Sequence, residues 1–457
     1  MGNDGDIAYR LAHSFLFPFL RFGPAGPKVS FVINLLGRSR SPRVHQGSKK
    51  SQLAAHCGTF YSTSRPVRPP LARFRIVRSS NYTSAAMRNA SHHLPSSPPG
   101  APSKPLARIL PALLFASCSL ALTWSLALSA AHAQAKPGHL LIYTIDVEGG
   151  QATLLVAPGG SLLVDTGWGG NNGRDADRIQ AAMSDAGISK IDKVLITHFH
   201  TDHVGGVPNL VERVSVGQFI DHGPNREDSD ITRTDYAAYV KAIQGTPRRV
   251  VHPGDTIDIP GLTAPTSSIL VLAADGGHVA SVPGVTPAPN KYCASEPKWD
   301  LDSTENPRST GILVRYGKFR FLDLGDLTKA KEIPLVCPSN LIGHVDLYLV
   351  NHHGMNLSSS RAFVDAIHPR VAIMDNGAHK AGSPEAWQTV HQSPGIEDLY
   401  MLHTAEGSDE AHNSPDDLIA NLKGGADGAY FKVVASVDGS FTVTNSRTGN
   451  TKEYPRK

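Results

Sequence analysis

Apolar residues begin to recur regularly at His139, and the rhythm holds nearly to the C-terminus. Residues 139–145 and 152–157 are short, apolar, β-rich runs. Pro158-Gly159-Gly160 makes a turn, and 161–165 forms the next strand. The period then changes, because Ile179, Ala182, Met183 and Ala186 fall on one helical face within 174–186. Residues 193–197 read as a strand, 234–244 as a helix and 268–273 as a strand. Runs 312–316 and 319–324 pair as a hairpin through Gly317-Lys318. Residues 344–350 form a strand ending at His352-His353, 361–367 a helix, 371–374 a strand and 430–444 a terminal hairpin around Asp438-Gly439. Residues 275–307 are Gly- and Pro-rich and irregular, and such long loops in compact domains are usually functional or mobile. Strands alternating with helices, interrupted by hairpins, predict a mixed-sheet, layered α/β domain without internal repeats.

No such rhythm exists upstream of residue 106. Residues 1–105 are rich in Arg, Ser and Pro, and Ser64-Arg65-Pro66-Val67-Arg68-Pro69 buries too little apolar surface to offset ordering entropy. They read as a disordered or over-extended segment, which leaves one folded domain at 134–457. Residues 106–133 differ again, with Arg108, an apolar run, and Ala131-His132-Ala133 suited to cleavage. This is the pattern of a signal peptide, and so of an exported, periplasmic or extracellular protein. The alternative is an uncleaved membrane anchor through 109–131. A start at Met87 would give the signal a conventional length, with 1–86 an over-extended reading frame.

Charge and cysteines sharpen this division. Residues 1–133 carry 16 Lys and Arg against 2 Asp and Glu, while 134–457 carry 28 against 38. The net +4 therefore conceals an acidic domain, which argues against an extended nucleic-acid-binding surface. Of the four cysteines, Cys57 and Cys118 lie upstream of the domain. Cys293 and Cys337 remain, and in an oxidising compartment they are expected to form one disulfide.

The candidate chemistry is concentrated in Thr197-His198-Phe199-His200-Thr201-Asp202-His203, directly after a buried-type strand. On an extended backbone His198 and His200 send both rings to one side, and Asp202 and His203 follow as the chain turns. Imidazole nitrogen and carboxylate oxygen suit Zn²⁺, with Mn²⁺ the next choice.

This motif, with Asp165-Thr166-Gly167 upstream, resembles the signature of the metallo-β-lactamase superfamily. A finer similarity is to the hydrolase domain of ComEC-type DNA-uptake proteins and their secreted stand-alone relatives. It rests on Asp146-Val147-Glu148-Gly149-Gly150-Gln151-Ala152, Leu324-Gly325-Asp326 and His352-His353-Gly354, and it covers about residues 139–380. The resemblance implies an αββα sandwich of two mixed sheets with helices on the outer faces. It also implies one or two metal ions. His198 and His200 would hold the first and Asp202 and His203 the second, with Asp326 bridging. One of His352 and His353 would complete the second site, and His352, first off the strand, is preferred. Asp165 would hold the histidine loop, or is simply a turn aspartate. Asn376, His379 and Lys380 would contact substrate, or lie in an exposed loop. One departure is visible: the stretch Glu305–Thr310, where many superfamily members carry a third histidine for the first metal, has none.

These features imply a hydrolase in which metal-bound hydroxide attacks an ester, with Asp202 orienting the nucleophile. The ComEC-like similarity favours a phosphodiester or other small phosphoester, small or short in view of the acidic domain. The alternatives are a carboxylic ester, lactone or β-lactam hydrolase, and a non-catalytic secreted metal-binding protein. No membrane contact is expected after signal cleavage.

Overall fold

The computed structural model describes residues 138–262, 266–423 and 428–457. The N-terminal segment, the signal peptide and the alternative anchor lie outside these residues. Among the described residues no helix is long and apolar enough to cross a membrane.

The chain opens with β1 (Leu140–Thr144), β2 (Thr153–Ala157), β3 (Gly160–Val164), α1 (Arg174–Asp185) and β4 (Lys190–Leu195). Two short helices, α2 (Thr201–Val204) and α3 (Val207–Val211), lead to β5 (Ser215–Asp221), α4 (Asp230–Ala242) and β6 (Arg248–Val250). The second half begins with β7 (Ser267–Ala274), β8 (Gly277–His278), β9 (Ala288–Pro289), β10 (Gly311–Tyr316) and β11 (Phe319–Asp323). Then follow α5 (Lys329–Val336), β12 (Ser339–Asn340), β13 (Leu347–Leu349), α6 (Arg361–Ile367), β14 (Val371–Met374), α7 (Pro384–His391), β15 (Asp398–His403) and β16 (Ile419–Asn421). The chain closes with β17 (Phe431–Ala435), β18 (Phe441–Asn445) and β19 (Thr451–Tyr454).

These strands make two large mixed sheets. One has the order β19-β18-β17-β1-β2-β3-β4-β5-β6, the other β16-β15-β14-β13-β11-β10-β7-β8, and β12 pairs separately with β9. Period-two alternation explains how they stack. Leu140 and Ile142 of β1 point into a core shared with Ile312 and Val314 of β10 and Val371 and Ile373 of β14. Their neighbours Leu141 and Tyr143 face the other way, onto Ile179 and Met183 of α1 and Tyr239 of α4. On the far side, Leu322, Tyr348 and Ala372 of the second sheet pack with Leu335 of α5, Phe363 of α6 and Trp387 of α7. Both faces of the central strands are thus covered, which is why β1, β2, β10 and β14 are apolar almost throughout, whereas β17 and β18 alternate buried and half-exposed positions. The result is the αββα arrangement that the sequence resemblance implies.

Helix α4 starts four residues before the expected 234, because Ser229 caps it by accepting the Thr232 N–H. Cys293 and Cys337 are disulfide-bonded, with Cα atoms 5.8 Å apart. The bond ties the irregular 275–307 stretch to the end of α5, as the cysteine count predicts. Within that stretch Asn290 donates through Nδ2 to Val336 O and Ala362 O, at 3.2 and 3.1 Å.

Strands β3 and β4 run parallel in the first sheet, as do β11, β13 and β14 in the second. Their C-terminal ends carry Asp165, the 197–203 segment, Asp326, His352-His353 and the 375–380 loop. The sheets join there through the Thr310 N–H, which donates to Thr197 O at 2.8 Å.

Candidate metal centre

Four of these side chains converge on one point. Donor atoms of Asp202, His203, Asp326 and His353 all lie within 4.8 Å of one another, and all four residues are buried. His203 Nε2 is 3.2 Å from His353 Nε2, 3.2 Å from Asp326 Oδ2 and 3.6 Å from Asp202 Oδ2. His353 Nε2 is 3.4 Å from Asp202 Oδ2 and 3.4 Å from Asp326 Oδ1.

The backbone is shaped to permit this. Gly150 approaches so closely that an added Cβ would lie 2.4 Å from Asp202 O, and Gln151 N–H donates to that same oxygen at 3.1 Å. Asp165, His352 and His353 all adopt left-handed φ values, 57°, 57° and 55°. Each such residue costs on the order of 1 kcal/mol and persists only where its surroundings impose it.

Oxygen atoms hold the rings from behind. Asp165 Oδ2 is 2.7 Å from His203 Nδ1, while its two oxygens also accept from Thr197 N and Thr197 Oγ1, at 2.8 and 2.6 Å. The structure thus places Asp165 as a brace for the histidine loop. Asp375 Oδ2 faces His353 Nδ1 at 3.2 Å. His198 Nδ1 lies 3.1 Å from Thr197 Oγ1 and 3.4 Å from Ser309 Oγ. His352 Nδ1 is 3.2 Å from Ser358 Oγ, and its Nε2 is 3.3 Å from Asp326 Oδ2.

The electrostatics are those of a group awaiting positive charge. Burial pushes the His203 imidazolium down, but Asp326, Asp202 and Asp165 outweigh it and hold the pKa well above the ordinary value. Burial also pushes His353 down, and Asp326 and Asp375 reverse this to about 9. Burial raises the Asp202 carboxyl, yet Lys380 and His203 bring it well below the usual carboxylate range. His198 is driven well below its ordinary value by burial and by His203 and His200, which outweigh the opposing pull of Asp326 and Asp202.

The donor set passes a simple test of fit to a cation. Ligands about 2.0–2.2 Å from a tetrahedral ion lie about 3.3–3.6 Å from each other. Among His203 Nε2, His353 Nε2 and Asp202 Oδ2 the three separations run from 3.2 to 3.6 Å, and the Asp326 carboxylate closes the set with Oδ2 toward His203 and Oδ1 toward His353. In addition, His198 Nε2, Asp326 Oδ1 and His353 Nδ1 are buried without a hydrogen-bond partner. Leaving such groups unpaired is costly, and a metal ion would satisfy the first two.

The remaining sequence candidates fall in different places. His353, rather than the preferred His352, contributes to the four-residue group, while His352 Nε2 lies 3.3 Å from Asp326 Oδ2 without being part of it. His198 Nε2 is 3.9 Å from Asp326 Oδ2, and His200 Nε2 is engaged at 2.8 Å by Glu227 Oε2. Lys380 ion-pairs with Asp202, donates to Gly149 O at 2.6 Å and lies 4.8 Å from the centre of the Trp168 ring. Asn376 is buried and donates to His403 O at 2.8 Å, so it supports the loop, and His379 is exposed.

Sequence reasoning missed Glu227, Asp375, Ser309 and Ser358. Asp375 alone carried a signal, as the first residue beyond an apolar strand. It also missed a second cluster, Asp146, Glu148 and His403. His403 Nε2 is 2.8 Å from Asp146 Oδ1, and Arg178 Nη1 is 3.0 Å from Asp146 Oδ2. With Arg178 Nη2 also 3.3 Å from Glu148 Oε1, this cluster already contains its own counter-charge.

Parts of the chain are similar to known proteins. Residues 145–285 match the model of the metallo-beta-lactamase superfamily. Recombination protein 2 of Haemophilus influenzae is 26% identical over 244 residues, covering 51% of this chain and 24% of that protein. Hydroxyacylglutathione hydrolase of Methylobacillus flagellatus is 30% identical over 127 residues, 28% of this chain and 40% of the relative. Ribonuclease Z of Bradyrhizobium diazoefficiens is 36% identical over 70 residues, 15% and 21% respectively. The chain therefore spans a quarter to two-fifths of the first two relatives' lengths.

Proposed function

We propose that this chain, which carries a metallo-β-lactamase superfamily domain, is a metal-dependent hydrolase of a small or short phosphoester. One observation carries the reading: the preformed group of Asp202, His203, Asp326 and His353, with the Lys380 ammonium at its edge. Zn²⁺ is the favoured ion and Mn²⁺ the runner-up, since the ligands are imidazoles and carboxylates. Such an ion would supply Lewis acidity and bring the pKa of water down to about 7.

The chain's own groups do the rest. Asp165 fixes the ring orientation of His203, and the Asp375 carboxylate faces the His353 ring from behind. Asp202 is the catalytic carboxylate, accepting a hydrogen bond from the attacking water and orienting it. Lys380 and the Trp168 ring beside it form an anion anchor with a flat apolar surface. A phosphodiester is anionic before reaction and suits that anchor. The relatives' names point in two directions, a ribonuclease on one side and a hydroxyacylglutathione hydrolase on the other. The second name supports a carboxylic ester or thioester as the competing substrate class. The Cys293–Cys337 disulfide supports export to an oxidising compartment.

The test is hydrolysis of bis(p-nitrophenyl) phosphate, p-nitrophenyl acetate and a chromogenic β-lactam by the full chain, with and without chelator. The expected result is phosphodiester cleavage that chelation abolishes and Zn²⁺ or Mn²⁺ restores. Metal-dependent cleavage of only the acetate or the β-lactam would replace the phosphoester reading. No metal-dependent turnover on any of the three would leave a binding protein.

A further inference from the structure

His200 is held in the opposite sense from the other histidines of the site. In His198, His203, His352 and His353 it is Nδ1 that lies beside an oxygen, while Nε2 faces the Asp326 carboxylate. In His200 it is Nε2 that lies 2.8 Å from an oxygen, that of Glu227.

Glu227 is itself firmly placed. Its backbone N–H donates to Asn225 Oδ1 at 2.8 Å, and Asn225 Nδ2 donates to Glu227 O at 3.0 Å. The Glu305 N–H donates to Glu227 Oε2 at 3.0 Å. Glu305 is fully buried, accepts the Arg226 N–H at 2.6 Å and lies 2.9 Å from His222 Nε2. The carboxylate is thus braced between the segment after β5 and the stretch before β10, which lacks a histidine.

Resting on the metal-centre reading above, we infer that Glu227 is the positioning residue of His200: it accepts the Nε2 proton and leaves Nδ1 as the only ring nitrogen with which His200 can ligate a cation. A carboxylate partner also makes the imidazole a stronger donor. That matters here because the stretch Glu305–Thr310 before β10 brings no histidine to stand beside His198 and His200. Affinity there then depends on the donor quality of these two rings.

The experiment is a calorimetric titration of the metal-free full chain with Zn²⁺, for wild type, Glu227→Gln and Glu227→Ala, alongside melting of each metal-free protein. In Glu227→Gln one bound equivalent should weaken roughly tenfold, and in Glu227→Ala up to roughly 100-fold, while the metal-free melting temperature of Glu227→Gln stays at the wild-type value. Variants that titrate like wild type within about twofold overturn the inference, because outer-shell losses run to tenfold or more. So does a lowered melting temperature with an unchanged isotherm, which would mark Glu227 as purely structural. A wild-type chain that takes up no Zn²⁺ overturns the metal-centre reading as well, so the two failures are distinguishable.

Discussion

The Nε2 atoms of His203 and His353 stand 3.2 Å apart, although the two residues are 150 positions apart and follow strands of different sheets. Two imidazole nitrogens at that distance repel each other if both carry lone pairs or both carry protons. Here Asp202 and Asp326 close around the same point, Asp165 holds the far nitrogen of His203, and Asp375 faces that of His353. With the Lys380 ammonium paired to Asp202 at its edge, the arrangement favours positive charge at its centre.

The brace behind His203 can be tested separately from the ligands. Asp165→Asn keeps an acceptor for the Thr197 N–H but removes the charge from His203 Nδ1. Metal affinity should fall roughly 10- to 100-fold, measured by competition with a chelating dye. Affinity equal to wild type would mean that Asp165 serves only the turn.

Lys380 has two roles, pairing with Asp202 and anchoring an anionic substrate, that predict opposite effects of its removal. Its ammonium is paired with Asp202, so it competes with a metal for that carboxylate. Lys380→Met should therefore bind metal more tightly yet raise KM for an anionic phosphodiester about tenfold, the equivalent of one lost charge-assisted contact. KM for a neutral ester should stay at the wild-type value. An unchanged phosphodiester KM would remove Lys380 from substrate recognition.

Cys337→Ser tests the clamp on the irregular stretch. The disulfide spans 44 residues, and its loss should cost about 2–4 kcal/mol in denaturant unfolding. Reduced wild type should show the same loss. Equal stability of oxidised and reduced wild type would show that the bond contributes nothing to the fold.

Glu332 gives the fold a pH dependence outside the metal site. It is fully buried and accepts from Asn351 Nδ2, Ser359 N and Ser360 N at 2.7, 2.6 and 2.8 Å. Burial pushes its carboxyl up to about 7, above the ordinary 4.5, despite these donors. A carboxyl raised in the folded state stabilises fully below its unfolded pKa, and that contribution is lost as pH rises through the folded one. Between about pH 4.5 and 7 wild type should therefore lose up to roughly 3 kcal/mol that Glu332→Gln does not lose. Parallel stability curves for the two proteins would contradict this.

Much of this was legible in the sequence, because covered sheets demand apolar strands and metal ligands cluster after one of them. Residues 152–157, 312–316 and 371–374 fall within a residue or so of β2, β10 and β14. Strand β5 was missed because its first half, Ser215 to Gln218, is only partly buried and its pattern is polar. The choice between His352 and His353 was not legible. It turns on two consecutive left-handed residues, which break the alternation of the preceding strand. Glu227 was hidden for another reason: it reaches His200 from 27 residues away, through a loop without periodicity.

The central claim is that a cation is held by Asp202, His203, Asp326 and His353. Elemental analysis of wild type, His353→Ala and His352→Ala, each purified without added metal, tests it most directly. Wild type should carry at least one equivalent of transition metal, His353→Ala about one equivalent less than wild type, and His352→Ala about the wild-type content, since removing a ligand removes coupled binding energy. A wild-type chain without metal, or a His353→Ala variant that keeps the wild-type content, would contradict it.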